Sequence, residues 1–285
     1  MTGEAPPVPP LIDGAPPLAI LVDYDGTISL TDVTDQVMAK HAPAIWEEAE
    51  RLYAAGAMGS RRLMAWEMSM VDADPDALRA TAAAQPHDPG FVPFVRRAQA
   101  AGIPVEVVSD GFGFFIGPAL ERLGVGELPV VTARTEFEGR RPSLHFPNGH
   151  PTCLVCGTCK RQRVLAHRAA GRRVVFIGDG DSDRYAAGYS DIVFAKRALE
   201  RICLEAGWDY RRWTAFSEIE TWLEETLEAW SRDPSSLTPA QSEPAAQPSP
   251  QAEADPPRGF FCGPEAWGDG LEDPPPGSWP PPRVS

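Results

Sequence analysis

Short apolar runs alternate with longer amphipathic stretches along most of this 285-residue chain. Leu18 to Val22 is apolar throughout and stops at Asp23. The theme returns at Pro104 to Ser109, at Arg173 to Ile177 before Gly178 and Asp179, and at Asp191 to Phe194. Leu128 to Thr132 and Trp213 to Phe216 are weaker versions of it. Continuous apolar runs bounded by turn residues predict strands buried on both faces of a parallel sheet. Helical patterns fill the gaps at 91–101, 160–170 and 195–206, and another starts at Ser217, where Ser-Glu-Ile-Glu fits a capping box. The alternation predicts an α/β fold with a doubly wound parallel sheet.

One stretch breaks the alternation. Residues 31–87 read as helices throughout, over 33–57, 60–71 and 76–84. Following directly on the first strand and its loop, they are expected to form a helical cap over one end of the sheet. The core domain then comprises 18–30 and 88–232. Residues 1–17, rich in Pro and Gly, are expected to be a flexible lead-in. Residues 233–285 are dense in Pro, Ser, Ala and Gly without apolar periodicity, a composition that cannot bury enough surface to offset ordering entropy. They are expected to form a disordered tail, with Phe260, Phe261 and Trp267 as a weak docking motif.

Composition narrows the function. A formal net charge of −14 argues against nucleic acid or an anionic membrane as partner, because little basic surface exists to neutralise a phosphate polymer. A small phosphate ester needs only one or two local cations and a metal. No apolar run is long enough to cross a membrane, and the first ten residues lack the basic start and apolar centre of a secretory signal. Five cysteines, three of them crowded into 153–159, do not resemble a disulfide framework, so a reduced, cytoplasmic setting is expected.

The chemistry concentrates where strands end, which is where ligands bind in open α/β sheets. Asp23 and Asp25 lie two residues apart at one strand exit, with Gly26 permitting a sharp turn. One carboxylate of such a pair can attack phosphorus while the other moves a proton. Gly178 to Asp183 sets acidic side chains beside glycines, which suits a hard cation such as Mg²⁺. Ser109-Asp110-Gly111 offers a hydroxyl and backbone N–H groups to phosphate oxygens, and Lys160 heads a helix where an ammonium can neutralise phosphate.

In this order, Asp-Tyr-Asp-Gly-Thr at 23–27, Ser-Asp-Gly at 109–111, Lys160 and Gly-Asp-Gly-Asp-Ser-Asp at 178–183 resemble the haloacid dehalogenase superfamily of phosphatases over roughly residues 18 to 230. The resemblance implies Asp23 as nucleophile and Asp25 as general acid and base. It implies Thr27, Ser109, Asp110, Gly111 and Lys160 as phosphate-binding residues. It implies Mg²⁺ held by Asp23, the backbone carbonyl of Asp25, Asp179 and Asp183. The 31–87 insert resembles the type I cap of the phosphoserine phosphatase branch, and substrate contacts are expected from Trp46, Met58, Ser60 and Arg61. Ser-Asp-Gly-Phe at 109–112, Cys-Gly-Thr-Cys-Lys at 156–160 and the 191–196 run resemble the methionine-salvage branch, which dephosphorylates 2-hydroxy-3-keto-5-methylthiopentenyl 1-phosphate.

Other readings compete. A phosphotransferase of the same superfamily would use the same nucleophile. A catalytically silent binding protein would have no need of both Asp23 and Asp25. Cys153, Cys156 and Cys159, completed by His150 or Cys203, suggest zinc, but the second paired Cys element of a structural site is missing.

Overall fold

A computed structural model describes residues 4–54, 58–150 and 155–237. The 233–285 segment lies mostly outside these, with Phe260, Phe261 and Trp267, and so does Cys153. Seven strands form one sheet in the order β4-β3-β2-β1-β5-β6-β7. They are β1 Leu18–Val22, β2 Val105–Phe112, β3 Val130–Glu138, β4 Arg141–His145, β5 Arg173–Gly178, β6 Ile192–Ala195 and β7 Arg211–Arg212. All neighbours pair in parallel except β3 and β4. The central strand β1 has every residue buried, as its unbroken apolar run requires. Its register sets Val22 opposite both Val107 and Ile177, so the residues that follow on β1, β2 and β5 emerge at one level of the same edge.

The antiparallel β3–β4 hairpin was not expected. Only its first residues carry the apolar run of a buried strand, and beyond Ala133 the strand is half exposed. A tight turn at Gly139, with φ of +63°, returns the chain. The strand expected at 213–216 lies slightly earlier, as β7, and Trp213 and Phe216 are instead core residues. The capping box expected at Ser217 does not form. Helix α10, Phe216–Arg232, starts one residue sooner, and Asp88 accepts a hydrogen bond from the Phe216 N–H at 3.1 Å.

Four helices separate β1 from α5 (Phe91–Ala100): α1 Val33–His41, α2 Pro43–Ala54, α3 Ser60–Ser69 and α4 Pro75–Ala83. The single helix expected over 33–57 is therefore two. Pro43 disfavours helical backbone at the residue before it, and Ala42 leaves the helix at φ −143°, ψ 48°. The lead-in is tied to the core: Ala5 N–H donates to Asn148 Oδ1 at 2.7 Å, and the Pro10 carbonyl accepts from Arg172 at 2.6 Å. At the other end Leu237 is buried, so the folded core continues past 232.

The remaining helices are α6 Gly113–Arg122, α7 Lys160–Ala169, α8 Arg184–Ala187 and α9 Arg197–Ala206. Helix α7 is bound to the sheet by charge as much as by apolar contact. Glu106 on β2 is 1% exposed, and Arg163 grips it with two donors, one of them Nη2 at 2.6 Å from Oε1. His167 Nε2 lies 3.0 Å from the same Oε1. Burial raises the Glu106 carboxyl, but the bonds to His167 and Arg163 outweigh it and hold the group below the usual range. A depressed carboxylate contributes stability that is complete above its unfolded titration and is lost as pH falls through its folded one. Glu106→Ala, which strands Arg163 and His167 without their partner, is expected to cost about 3–5 kcal/mol at pH 7 by urea denaturation. The gap between wild type and variant should narrow as the pH is taken below 4; an equal gap at both pH values would dismiss this account.

Candidate active site

Asp23 follows β1 directly, and its N–H still pairs with the Ile177 carbonyl at 2.9 Å. That last ladder bond aims the carboxylate off the sheet edge. Lys160, the first residue of α7, is 2% exposed and sets Nζ 2.9 Å from Asp23 Oδ1 and 2.6 Å from Asp183 Oδ1. Burial opposes the ammonium charge, but Asp183 and Asp23 outweigh it and raise Lys160 well above its ordinary value. Asp23 is pushed well up, first by burial and then by Asp183, with Lys160 pulling the other way. Ligand oxygens of Asp23, Asp179 and Asp183 lie within 4.8 Å of one another.

This set fits a hard divalent cation. Three buried carboxylates converge, with Lys160 at Asp23 and Asp183 and Arg197 at Asp179, and both Asp23 and Asp179 are still raised by burial and by Asp183. A doubly charged ion bound by oxygen would reverse that imbalance. Asp183 is also committed to its own loop: its Oδ2 accepts from the N–H groups of Asp179 at 2.9 Å and Gly180 at 3.0 Å. Asp179 is steered by Thr27, whose hydroxyl donates to Oδ1 at 2.9 Å. That places Thr27, expected at the phosphate, on the metal-facing side. A Cβ at Gly26 (φ +66°) would sit 2.3 Å from Asp179 Oδ2, so only glycine lets the two loops meet.

Asp25 points elsewhere. Its Oδ1 accepts from Val33 N–H and its Oδ2 from the Thr34 hydroxyl, both at 2.9 Å. Burial raises it to about 6 against these bonds, which favour the charged form. A carboxyl poised there can both give and take a proton near neutrality. Its side chain is not in the converging trio, so only its backbone carbonyl remains for a metal.

Ser109 is buried, and its hydroxyl accepts from Gly111 N–H at 2.9 Å. The Asp110 carboxylate is occupied by Ser60 Oγ at 2.5 Å and Thr158 N–H at 2.6 Å. It ties the insert and the loop before α7 to the tip of β2, and leaves only backbone for phosphate. Ser60 lines the cavity above Asp23, about 150 Å³ in volume. Trp46, Met58 and Arg61 are not among its described lining residues. Met58 packs with Ala49, Leu52, Leu63 and Trp66 in a core of the insert. Trp46 donates to Asp35 at 3.2 Å, and Arg61 lies over the Phe146 ring at 4.9 Å. Of the four residues of the insert expected at the substrate, Ser60 alone is among the described lining residues of this cavity.

Arg197 is the residue the sequence reading missed. It adopts φ +51°, rare for a side chain with a Cβ, and sets Nη1 3.0 Å from Asp179 Oδ2 and Nη2 3.1 Å from the Leu30 carbonyl. The only signal was its place immediately after the run 191–196. Among the described residues the aspartate trio is the sole cluster that assembles three metal-ligating side chains. None of the described helices is long and apolar enough to cross a membrane.

Comparison with known proteins agrees with this geometry. Residues 20–188 match the family described as haloacid dehalogenase-like hydrolase. The 2-hydroxy-3-keto-5-methylthiopentenyl-1-phosphate phosphatase of Geobacillus kaustophilus is 31% identical over 212 residues, covering 71% of this chain and 93% of that one. The bifunctional enzyme MtnB/MtnX of Bacillus licheniformis is 30% identical over 215 residues, covering 73% of this chain but 50% of its own length. The chain thus spans about half of that relative. A phosphoserine phosphatase solved as a phospho-aspartyl intermediate analogue shares the fold, with a TM-score of 0.53 at 17% identity over 74% of this chain and 97% of that one. The sheet order, the strand-end carboxylates and these matches together make the chain a member of the haloacid dehalogenase-like hydrolase family, among its phosphatases.

Proposed function

We propose that the protein is a Mg²⁺-dependent phosphomonoester hydrolase that acts on a small phosphorylated metabolite through a phosphoryl group carried on Asp23. The observation that carries the reading is the buried Asp23 carboxylate held 2.9 Å from Lys160 and beside Asp179 and Asp183. An ammonium and a divalent cation at that carboxylate favour the approach of a phosphate dianion, which is the main electrostatic obstacle to the reaction. Asp23, Asp179, Asp183 and the Asp25 carbonyl would hold the metal, which supplies charge neutralisation to nucleophile and phosphate. Residues 31–87 act as the cap, and 18–30 with 88–232 as the core.

Each residue then has one task. An Asp23 oxygen attacks phosphorus as the bond from phosphorus to the leaving oxygen breaks. Protonated Asp25 gives its proton to that oxygen, and the alcohol departs. Asp25, now a carboxylate, takes a proton from water as the water oxygen attacks phosphorus, which frees Asp23 and inorganic phosphate. Ser109 and the backbone of Asp110 and Gly111 receive the phosphate oxygens.

The name of the Geobacillus relative supplies a finer reading, a role in methionine salvage. Leu63 and Met64, which line the cavity, offer apolar contact to a methylthio tail. Transfer to an acceptor alcohol uses the same first half-reaction, and phosphate release in water against transfer to added alcohols separates the two.

Asp23→Asn and Asp25→Asn should fail differently. With an aryl phosphate, whose leaving group needs little protonation, Asp25→Asn should give a burst of phenol and a trapped phospho-protein, and Asp23→Asn should give neither. Mass spectrometry of quenched samples should map the added phosphoryl group to Asp23; label on Ser109, a cysteine or a histidine would overturn the mechanism.

Metal dependence has two readouts. Excess chelator should abolish turnover, Mg²⁺ should restore it, and Ca²⁺, with its larger and looser coordination, should restore it poorly. Calorimetric titration should detect Mg²⁺ binding to the wild type and lose it in Asp179→Asn. Full turnover in chelator, or unchanged binding by the variant, would exclude the site.

A further inference from the structure

Residues 4–17 follow a definite course over the core. At their end the Pro17 carbonyl accepts from Arg173 N–H at 2.8 Å, and the chain enters β1. Further back the Pro10 carbonyl accepts from Arg172, which is 2% exposed, at 2.6 Å. Leu11 lies against Gly171, where an added Cβ would come within 3.2 Å of its Cδ1. Both contacts fall just past the C-terminal end of α7. Ala5 lies at the other end of that helix. Its N–H donates to Asn148 Oδ1 at 2.7 Å, and the Asn148 carbonyl accepts at 2.8 Å from the N–H of Cys159, the residue before Lys160. Ala5 also packs on the core cluster that contains Val164 of α7.

The segment therefore runs the length of α7, from beyond its last turn to its first, and its sequence suits that run. Four of the six residues from Ala5 to Pro10 are proline, and neither helix nor strand occurs over 4–12. Proline-rich chain is extended and semi-rigid, so the five steps from Ala5 to Pro10 span about 15 Å. The ten residues of α7 rise by about the same 15 Å. Proline also leaves less conformational entropy to lose on docking. A stiff spacer of matching length holds its two ends at a set distance.

Asn148 stands where the spacer ends, and it reaches both halves of the phosphate site. One half is Lys160, through the N–H of Cys159. The other is the tip of β2: Asn148 Nδ2 donates to the Thr132 carbonyl at 2.8 Å, and the Thr132 hydroxyl donates to the Gly111 carbonyl at 2.6 Å. The bond from Ala5 keeps the amide oxygen toward the lead-in and the amide nitrogen toward β3. The acidic loop is held by other means. Thr27 and Arg197 fix Asp179, and Asp183 accepts from the N–H groups of its own loop.

We propose that residues 4–17 are a brace for the phosphate site, with Asn148 as a positioning residue that sets Lys160 and Gly111 at the separation a phosphate group requires. This rests on the phosphatase reading and adds to it a stretch of chain remote from the strand ends.

Three variants test the brace. One lacks residues 1–9. Ala5→Pro deletes the single N–H and keeps the character of the segment, and Ala5→Gly keeps the N–H. Turnover of 4-nitrophenyl phosphate with Mg²⁺, competitive inhibition by orthophosphate and the urea midpoint are measured for each. Loss of residues 1–9 should lower kcat/KM and weaken orthophosphate inhibition, each by about tenfold. Ala5→Pro should weaken that inhibition by about fivefold, as the loss of one hydrogen bond does, and Ala5→Gly by less than about twofold. A role in stability alone would lower the urea midpoint and leave the inhibition constant where it is. Inhibition constants for Ala5→Pro and Ala5→Gly that agree within about twofold overturn this proposal alone, whatever becomes of the midpoint. A wild-type constant in the shortened protein does the same, and the comparison of the two Ala5 variants decides if the shortened protein does not fold. Full-length protein that releases no phosphate overturns the brace together with the phosphatase reading.

Discussion

The buried ammonium of Lys160 is the contact on which the rest of the site depends. It reaches Asp23 from β1 and Asp183 from the loop after β5, so one side chain on α7 joins the two strands that carry the acidic chemistry. Its position follows from the packing of α7. Val164 is fully buried against the sheet, and Arg163 and His167 close on Glu106. With that face fixed, the first residue of the helix has little choice of direction. The contact is also reciprocal electrostatically: Asp23 raises Lys160 and is itself pulled down by it.

Around that contact the loops are built for close approach. Gly26 brings the turn after β1 against Asp179, and a Cβ at Gly111 would lie 2.6 Å from Asp25 Oδ2. Thr27, Thr34 and Arg197 each fix one carboxylate in place. The result separates two aspartates that are two residues apart in sequence. Asp23 is drawn toward Lys160 and the acidic loop, while Asp25 is turned to the start of α1. Different neighbours give them different electrostatic surroundings.

Much of this was legible in the sequence because the strands of a two-sided sheet must be apolar and must end in something polar. Asp23, Ser109 and Asp179 could be read from that rule alone, and the parallel register then brought them to one edge. What escaped was of another kind. The hairpin of β3 and β4 leaves the core after Ala133, and half-exposed strands lack the unbroken apolar run. The break at Ala42 hid in a stretch with good helical content, although Pro43 announced it. Thr27, Met58 and Arg61 were given to the ligand, and they turned to Asp179, to the insert's own core and to Phe146. Sequence position places a residue near a site; the direction of its side chain depends on neighbours far along the chain. Arg197 reached Asp179 from 18 residues away through a backbone conformation that no residue pattern signals.

Helix α7 has a consequence for how variants of this protein are interpreted. Lys160, Arg163 and His167 occupy one buried face within two turns, yet only the first touches Asp23 and Asp183, the groups to which the proposed chemistry is assigned. A mutational survey scored by turnover in cell extract would register all three as essential and draw the catalytic centre too large. Scored by the amount of soluble protein, the same survey would single out Arg163 and His167 and could pass over Lys160. Only the two scores together would reveal that one helix carries a chemical boundary between its first turn and its second.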